Sequence, residues 1–105
     1  MDMFSAIADP TRRTILEMLA RKGSLSSSAI SDNFTMSSPA ISQHLKILRE
    51  TKLVDMEKKS QQRIYTINTH SIQEFDHWVQ TLTKVWNERF DRLDALLAQE
   101  KKKVK

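Results

Sequence analysis

Residues 35–50 read Thr-Met-Ser-Ser-Pro-Ala-Ile-Ser-Gln-His-Leu-Lys-Ile-Leu-Arg-Glu, and this stretch decides the fold. Ser37, Ser38 and Pro39 open a helix. A serine hydroxyl caps the orphan amides, and proline suits a first turn because its missing N–H has no helical partner there. At about 100° per residue, Ile41, Leu45 and Leu48 share one narrow stripe that must face a core. Pro39, Ser42, Gln43 and Lys46 take the opposite side, with no carboxylate before Glu50. Small residues near the helix start, followed by hydroxyl, amide and ammonium groups, suit a DNA major groove, where amides and cations pair with base edges.

The flanking segments make this helix one of a pair beside a hairpin. Upstream, Ser26, Ser27 and Ser28 offer caps for a short helix ending around Phe34, with Ile30 and Phe34 at i and i+4 packing the same way. Thr35 and Met36 provide the turn, giving a helix-turn-helix. Downstream, Leu53-Val54-Asp55-Met56-Glu57 alternates, Lys58-Lys59-Ser60-Gln61-Gln62 is polar, and Arg63-Ile64-Tyr65-Thr66-Ile67 is β-branched and aromatic. That pattern predicts a β-hairpin with a basic tip, a wing. The fold class expected is therefore mainly α with a small β-hairpin, a winged helix-turn-helix.

Further out, Met3, Phe4, Ile7 and Ala8 give a short apolar helical face ended by Asp9-Pro10. Asp9 caps the next helix with Pro10 at its first position; Ile15, Leu16 and Leu19 form its buried face, and Gly23 stops it. From Thr69 to Gln99 one long helix is expected, because Ile72, Phe75, Val79, Leu82, Trp86, Phe90, Leu93 and Leu97 recur at steps of three and four. Trp78, Val85 and Leu96 widen that stripe. So small a domain does not need so long an apolar face for itself, and two tryptophans are costly to leave in water. A second copy is expected to cover Phe75, Trp78, Val79, Leu82, Trp86, Phe90 and Leu93, helped by Phe4 and Ile7 of the first helix. Two-fold dimers are the commonest assembly, and such a dimer sets its recognition helices roughly 34 Å apart, one DNA turn. The domain expected covers residues 1–99, its terminal helices serving dimerisation, followed by a basic flexible tail over 100–105.

Composition narrows the function. At 105 residues the chain holds one domain with one modest core. Cysteine is absent, which excludes disulfides, thiolate metal sites and a cysteine nucleophile. No apolar run approaches a membrane span or a signal-peptide core, so a cytoplasmic protein without a membrane partner is expected. A single glycine leaves no phosphate-cradling loop, and no carboxylate pair or nucleophile with a base stands at convincing spacing. No enzyme and no cofactor are expected. The net charge of +4 is uneven: residues 1–34 carry four basic and four acidic groups, 35–63 six and three, 64–99 three and five, and 100–105 four and one. The excess lies on the helix quoted above, on the hairpin after it, and on the lysine tail, the distribution wanted for a polyanion.

These readings give a set of double-stranded DNA contacts. Ser37, Ser38 and Ser42 stand at or near the helix start for phosphate or base edges, Pro39 permits close approach, Gln43 reads a base edge, and Lys46 meets phosphate or guanine. His44, at the edge of the buried stripe, either packs or donates to a phosphate. Lys58, Lys59, Gln61, Gln62 and Arg63 track the flanking backbone from the wing. His70 and His77 are two helical turns apart, roughly 10 Å at 1.5 Å per residue, too far for one ion within a subunit, so no metal site is assigned. A competing reading keeps the same fold as a protein–protein interaction module without an operator.

Residues 7–16, Ile-Ala-Asp-Pro-Thr-Arg-Arg-Thr-Ile-Leu, residues 36–49, Met-Ser-Ser-Pro-Ala-Ile-Ser-Gln-His-Leu-Lys-Ile-Leu-Arg, and Leu53-Val54 together resemble the ArsR/SmtB family of bacterial winged-helix repressors. The resemblance extends from residue 4 to about 68, and in kind to the last helix. It implies a homodimer that binds operator DNA and represses transcription, commonly of its own operon, with the first and last helices forming the interface. Many such proteins release DNA on binding a metal. This sequence departs from that pattern. Its third helix has serines and apolar residues where metal sensors carry Cys-x-Cys, and its last helix has Asp76 and His77 adjacent with no later histidine. Ser60 stands where wings of the family usually have glycine. No residue identifies an inducer.

Overall fold

The computed structural model describes residues 1–103, with side chains described through residue 100. Asp2 accepts the Ser5 N–H at 2.8 Å and starts α1 (Met3–Ala8); Asp9 accepts the Arg12 N–H at 3.0 Å and starts α2 (Pro10–Lys22) with Pro10 in its first turn. A six-residue helix leaves its last four carbonyls without helical donors. Two consecutive arginines of α2 supply them. Arg12 donates from Nε to the Ala6 carbonyl at 2.8 Å and from Nη2 to that of Ser5 at 3.4 Å, while Arg13 Nη1 reaches the Ile7 and Ala8 carbonyls at 2.9 Å each. Gly23, at φ 86°, closes α2 by donating its N–H to the Leu19 carbonyl at 2.8 Å. Glycine takes this left-handed conformation without a Cβ penalty.

The chain then forms a strand that the periodicity does not predict, β1 (Leu25–Ser26). Ser26 also caps α3 (Ser27–Ser31), accepting the Ala29 N–H at 3.1 Å. This helix ends at Ser31, short of the expected Phe34. Asn33 donates from Nδ2 to the Ala29 carbonyl at 2.8 Å, and such local side-chain bonds compete with helix continuation. Ile30 is nevertheless buried and Phe34 packs against the same core, as expected for the pair.

α4 (Ser38–Glu50) starts at its cap Ser37, which accepts the Ala40 N–H at 3.3 Å. Ile41, Leu45 and Leu48 are its buried stripe. Its end is a Schellman motif: Lys52, at φ 64°, donates to the Arg49 carbonyl at 3.1 Å, and Leu53 donates to that of Leu48 at 2.9 Å.

β2 (Val54–Lys59) and β3 (Gln62–Ile67) pair antiparallel from Val54 opposite Ile67 to Lys59 opposite Gln62. Ser60 and Gln61 form the tip, and Ser60 holds φ 56° in the region that favours glycine. β1 adds to the other edge of β3, with Leu25 opposite Tyr65 and Ser26 opposite Ile64, so the sheet has three strands in the order β1-β3-β2. The hairpin is thus anchored to the front of the helix-turn-helix by a strand belonging to it. The core gathers Ala6, Ile15, Leu19, Ile30, Ile41, Leu45, Leu48, Leu53, Val54 and Tyr65 from the helices, the sheet and the α4–β2 connection.

α5 (Thr69–Lys103) begins where Asn68 Oδ1 accepts the Ser71 N–H at 3.0 Å. It passes the expected end at Gln99 because Gln, Glu and Lys are good helix formers whether or not an apolar stripe continues. Of the expected tail over 100–105, residues 104 and 105 lie outside the described residues. The chain divides into two compact units inside this helix, Met1–Ile72 and the part from Gln73 on. In the second unit Leu82, Val85, Trp86, Phe90, Leu93, Leu96 and Leu97 are all exposed, as are Trp78 and Val79, while Phe75 is half-buried. Their rings pair along the helix: Phe75 with Trp78 at 6.2 Å between centroids, and Trp86 edge-on to Phe90 at 5.0 Å. Among the described residues no helix is long and apolar enough to cross a membrane.

Candidate nucleic-acid interface

The polar face of α4 and the inner face of β3 line one open groove of about 810 Å³. Pro39, Ser42, Gln43 and Lys46 of α4 lie on one side, with Gln61 and Arg63 of the wing on the other. Six of the twelve residues picked from sequence as DNA contacts are thereby brought together. The groove also takes in Ser27, Leu45, Arg49, Glu50 and Tyr65, which the sequence reading does not place among the DNA contacts. Arg49 was within reach of the sequence pattern, since Ser42, Lys46 and Arg49 recur at four and three residues on one helical face. Tyr65 was not, because its place depends on the pairing of β3 with β1.

The other chosen residues have different surroundings. Ser37 is occupied as the α4 cap, and Ser38 Oγ lies 3.3 Å from Ser31 Oγ, joining the end of α3 to the start of α4. Both remain exposed at the positive end of the helix dipole, where a phosphate is favoured. His44 turns away from the groove: its Nδ1 lies 3.2 Å from Arg12 Nη1 and 3.8 Å from Asp9 Oδ2. The Asp9 carboxyl is held below its usual range by the Arg12 N–H it accepts, with the Arg12 guanidinium adding to that and partial burial opposing it. Asp2 is lowered by the Ser5 N–H.

On the wing, strand alternation separates the polar residues. Lys58 is directly opposite Arg63 and shares the face that Arg63 turns to the groove; Lys59 and Gln62, opposite each other, take the reverse face. Lys59 reaches Glu57 at 3.8 Å, and Lys46 reaches Glu50 at 4.0 Å. Both pairs are well exposed, and exposed pairs of this kind hold an ammonium by only about 0.2–1 kcal/mol, which a phosphate can outbid. Lys58 and Arg63 meet no carboxylate among the described residues. Two like charges across a strand pair are unfavourable for the sheet itself, and an anion placed beside them would relieve the repulsion.

Residues 9–56, from the α2 cap into β2, match the family model described as bacterial regulatory protein, arsR family. The chain is 37% identical over 78 residues to the transcriptional repressor SdpR of Bacillus subtilis, covering 74% of this chain and 86% of that one. The chain belongs to the ArsR family. An uncharacterized HTH-type transcriptional regulator of Methanocaldococcus jannaschii is 36% identical over 70% of the chain and 82% of its own length. Among solved structures, an ArsR-like transcriptional regulator from Rhodococcus superposes with a TM-score of 0.77 at 25% identity over 89% of this chain and 87% of that one. HlyU from Vibrio cholerae gives 0.63 at 31% identity over 76% and 86%. As an ArsR-family protein with a winged helix-turn-helix, the chain is a DNA-binding transcriptional regulator and not an enzyme.

Proposed function

We propose that this ArsR-family regulator is a homodimeric repressor that occupies a pseudo-palindromic operator in the cytoplasm, with its own promoter among its targets. The observation that carries this reading is the convergence of Ser42, Gln43, Lys46 and Arg49 with the wing cation Arg63 on one groove. Gln43 is exposed at mid-helix and can present a bidentate amide to an adenine; Lys46 and Arg49 can serve guanine or phosphate. Ser37 and Ser38 hold the first turn against a phosphate, and Lys58, Lys59, Gln61, Gln62 and Arg63 follow the flanking backbone. Binding at the promoter then excludes polymerase, an outcome that needs no chemistry beyond occupancy.

Dimerisation rests on α5. Each large apolar side chain such as Leu82, Trp86, Phe90 or Leu93 gains about 1.5–3 kcal/mol on full burial, and the exposed stripe repeats over the length a helix partner requires. A second copy provides an identical stripe; Phe75, Trp78 and Val79 extend it, and Phe4 and Ile7 of α1 belong to the same interface. Footprinting on the DNA upstream of its own gene tests the whole reading. Two protected half-sites roughly 34 Å apart are expected. Protection of a single site, or none, would count against a two-headed repressor.

A further inference from the structure

Tyr65 belongs to the middle strand of the sheet and is only 4% exposed, yet it lines the groove between α4 and the wing. Strand alternation accounts for both facts. Tyr65 shares its face of β3 with Arg63, which turns to the groove, and it is flanked across the strands by Leu25 of β1 and Met56 of β2, both packed against the core. Its hydroxyl is left over from this packing. Tyr65 makes no hydrogen bond through Oη among the described residues, and no buried polar side-chain atom there lacks a partner, so Oη reaches water. A tyrosine in an apolar seat keeps its hydroxyl at the wet end, and the open space that Tyr65 lines is the groove. The surroundings are cationic: Lys46, Arg49 and Arg63 line the same groove against the single carboxylate of Glu50. A free O–H donor among excess positive charge is complementary to an anionic oxygen. Because the core holds the ring, this donor stands in place before the anion arrives, without the rotamer ordering that a long cationic side chain must undergo.

We infer that Tyr65 is a DNA-contacting residue: its hydroxyl, at the floor of the groove between α4 and the wing, donates to a backbone phosphate of the bound duplex. The inference rests on the DNA-binding reading of that groove and adds to it a neutral, rigid contact from the sheet. Phosphate is the target because Oη rises from a wing strand beside α4, and contacts from beside a base-reading helix go to the backbone.

Tyr65→Phe removes the hydroxyl alone and keeps the ring in the core. With no protein partner lost, urea unfolding is expected to show unchanged stability; a clear loss would mean that the hydroxyl serves the fold and would overturn the inference. Binding is then measured by anisotropy over a salt series on two duplexes, the one upstream of the protein's own gene and a scrambled duplex of equal length. The variant is expected to bind both about fivefold more weakly, the worth of one hydrogen bond, with the slope of log affinity against log salt unchanged, because a neutral donor neutralises no phosphate. Arg63→Gln, by contrast, is expected to flatten that slope by about one. Affinity unchanged on both duplexes, a flattened slope for Tyr65→Phe, or a loss confined to the upstream duplex, the mark of a base contact, would each overturn the phosphate contact. A wild-type protein that binds neither duplex removes the DNA reading and this inference together, whereas wild-type binding that Tyr65→Phe leaves untouched removes this inference alone.

Discussion

Two residues carry backbone conformations that their side chains oppose. Lys52 and Ser60 have φ of 64° and 56°, a region costing an ordinary residue about 1–2 kcal/mol against glycine. Lys52 holds the Schellman turn through two backbone bonds that use no side-chain atom. Lys52→Gly is therefore expected to stabilise the protein by about 0.5–1 kcal/mol in urea unfolding, the strain relief being partly offset by the freer unfolded chain. A loss of stability would show that the lysine stem packs. Asp9 gives a pH-dependent counterpart. Its folded pKa is lowered by the Arg12 N–H, so its ionised form adds stability above the unfolded value of about 3.9, and that gain disappears as pH falls through the folded value. Asp9→Asn keeps a capping oxygen but loses the charge. It is expected to cost less than about 1 kcal/mol at neutral pH, with the difference closing below pH ~4. A gap that persists in acid would mean the charge is not its source. Asp9, Pro10, Gly23 and Ser37 were legible in the sequence because each acts within four residues of itself. Arg12 was not, because its partners are the carbonyls of α1 and a histidine 32 positions away.

The hairpin was readable from its alternation, and α3 and α4 from their caps together with the spacing of their apolar residues. β1 was not, since two residues cannot display a period and Leu25 and Ser26 become a strand only by meeting Tyr65 and Ile64. The early end of α3 likewise depended on Asn33 bonding back to the Ala29 carbonyl. The candidate site was legible in its α4 half up to Lys46; Arg49 followed the same spacing, and the wing residues divided between two faces only once the register was known. That register makes a specific case of Lys58. Because it faces Arg63 across the strands, Lys58→Ala removes a like-charge pair and is expected to leave stability unchanged or raise it by a few tenths of a kcal/mol. The same substitution is expected to weaken all DNA sequences alike and to flatten the slope of log affinity against log salt by about one. An unchanged slope would remove the wing from the contact surface.

For the whole molecule, the exposed stripe of α5 sets the behaviour expected in solution. Trp86→Glu places a charge in the middle of that stripe while the core residues from Ala6 to Tyr65 stay untouched. Sedimentation should then report a monomer in place of a dimer, with helix content kept and operator affinity reduced by at least about tenfold, since two half-sites no longer bind as one. A Trp86→Glu protein that still sediments as a dimer would place the interface elsewhere. On the proposed reading, sequence specificity comes from the pair of α4 helices such a dimer presents. The most direct measurement is a fluorescence anisotropy titration of the wild-type protein at about 150 mM salt, comparing the duplex upstream of its own gene with a scrambled duplex of equal length. A preference of at least about a thousandfold for the upstream duplex is expected of a sequence-specific repressor. Equal affinity for the two duplexes would contradict it.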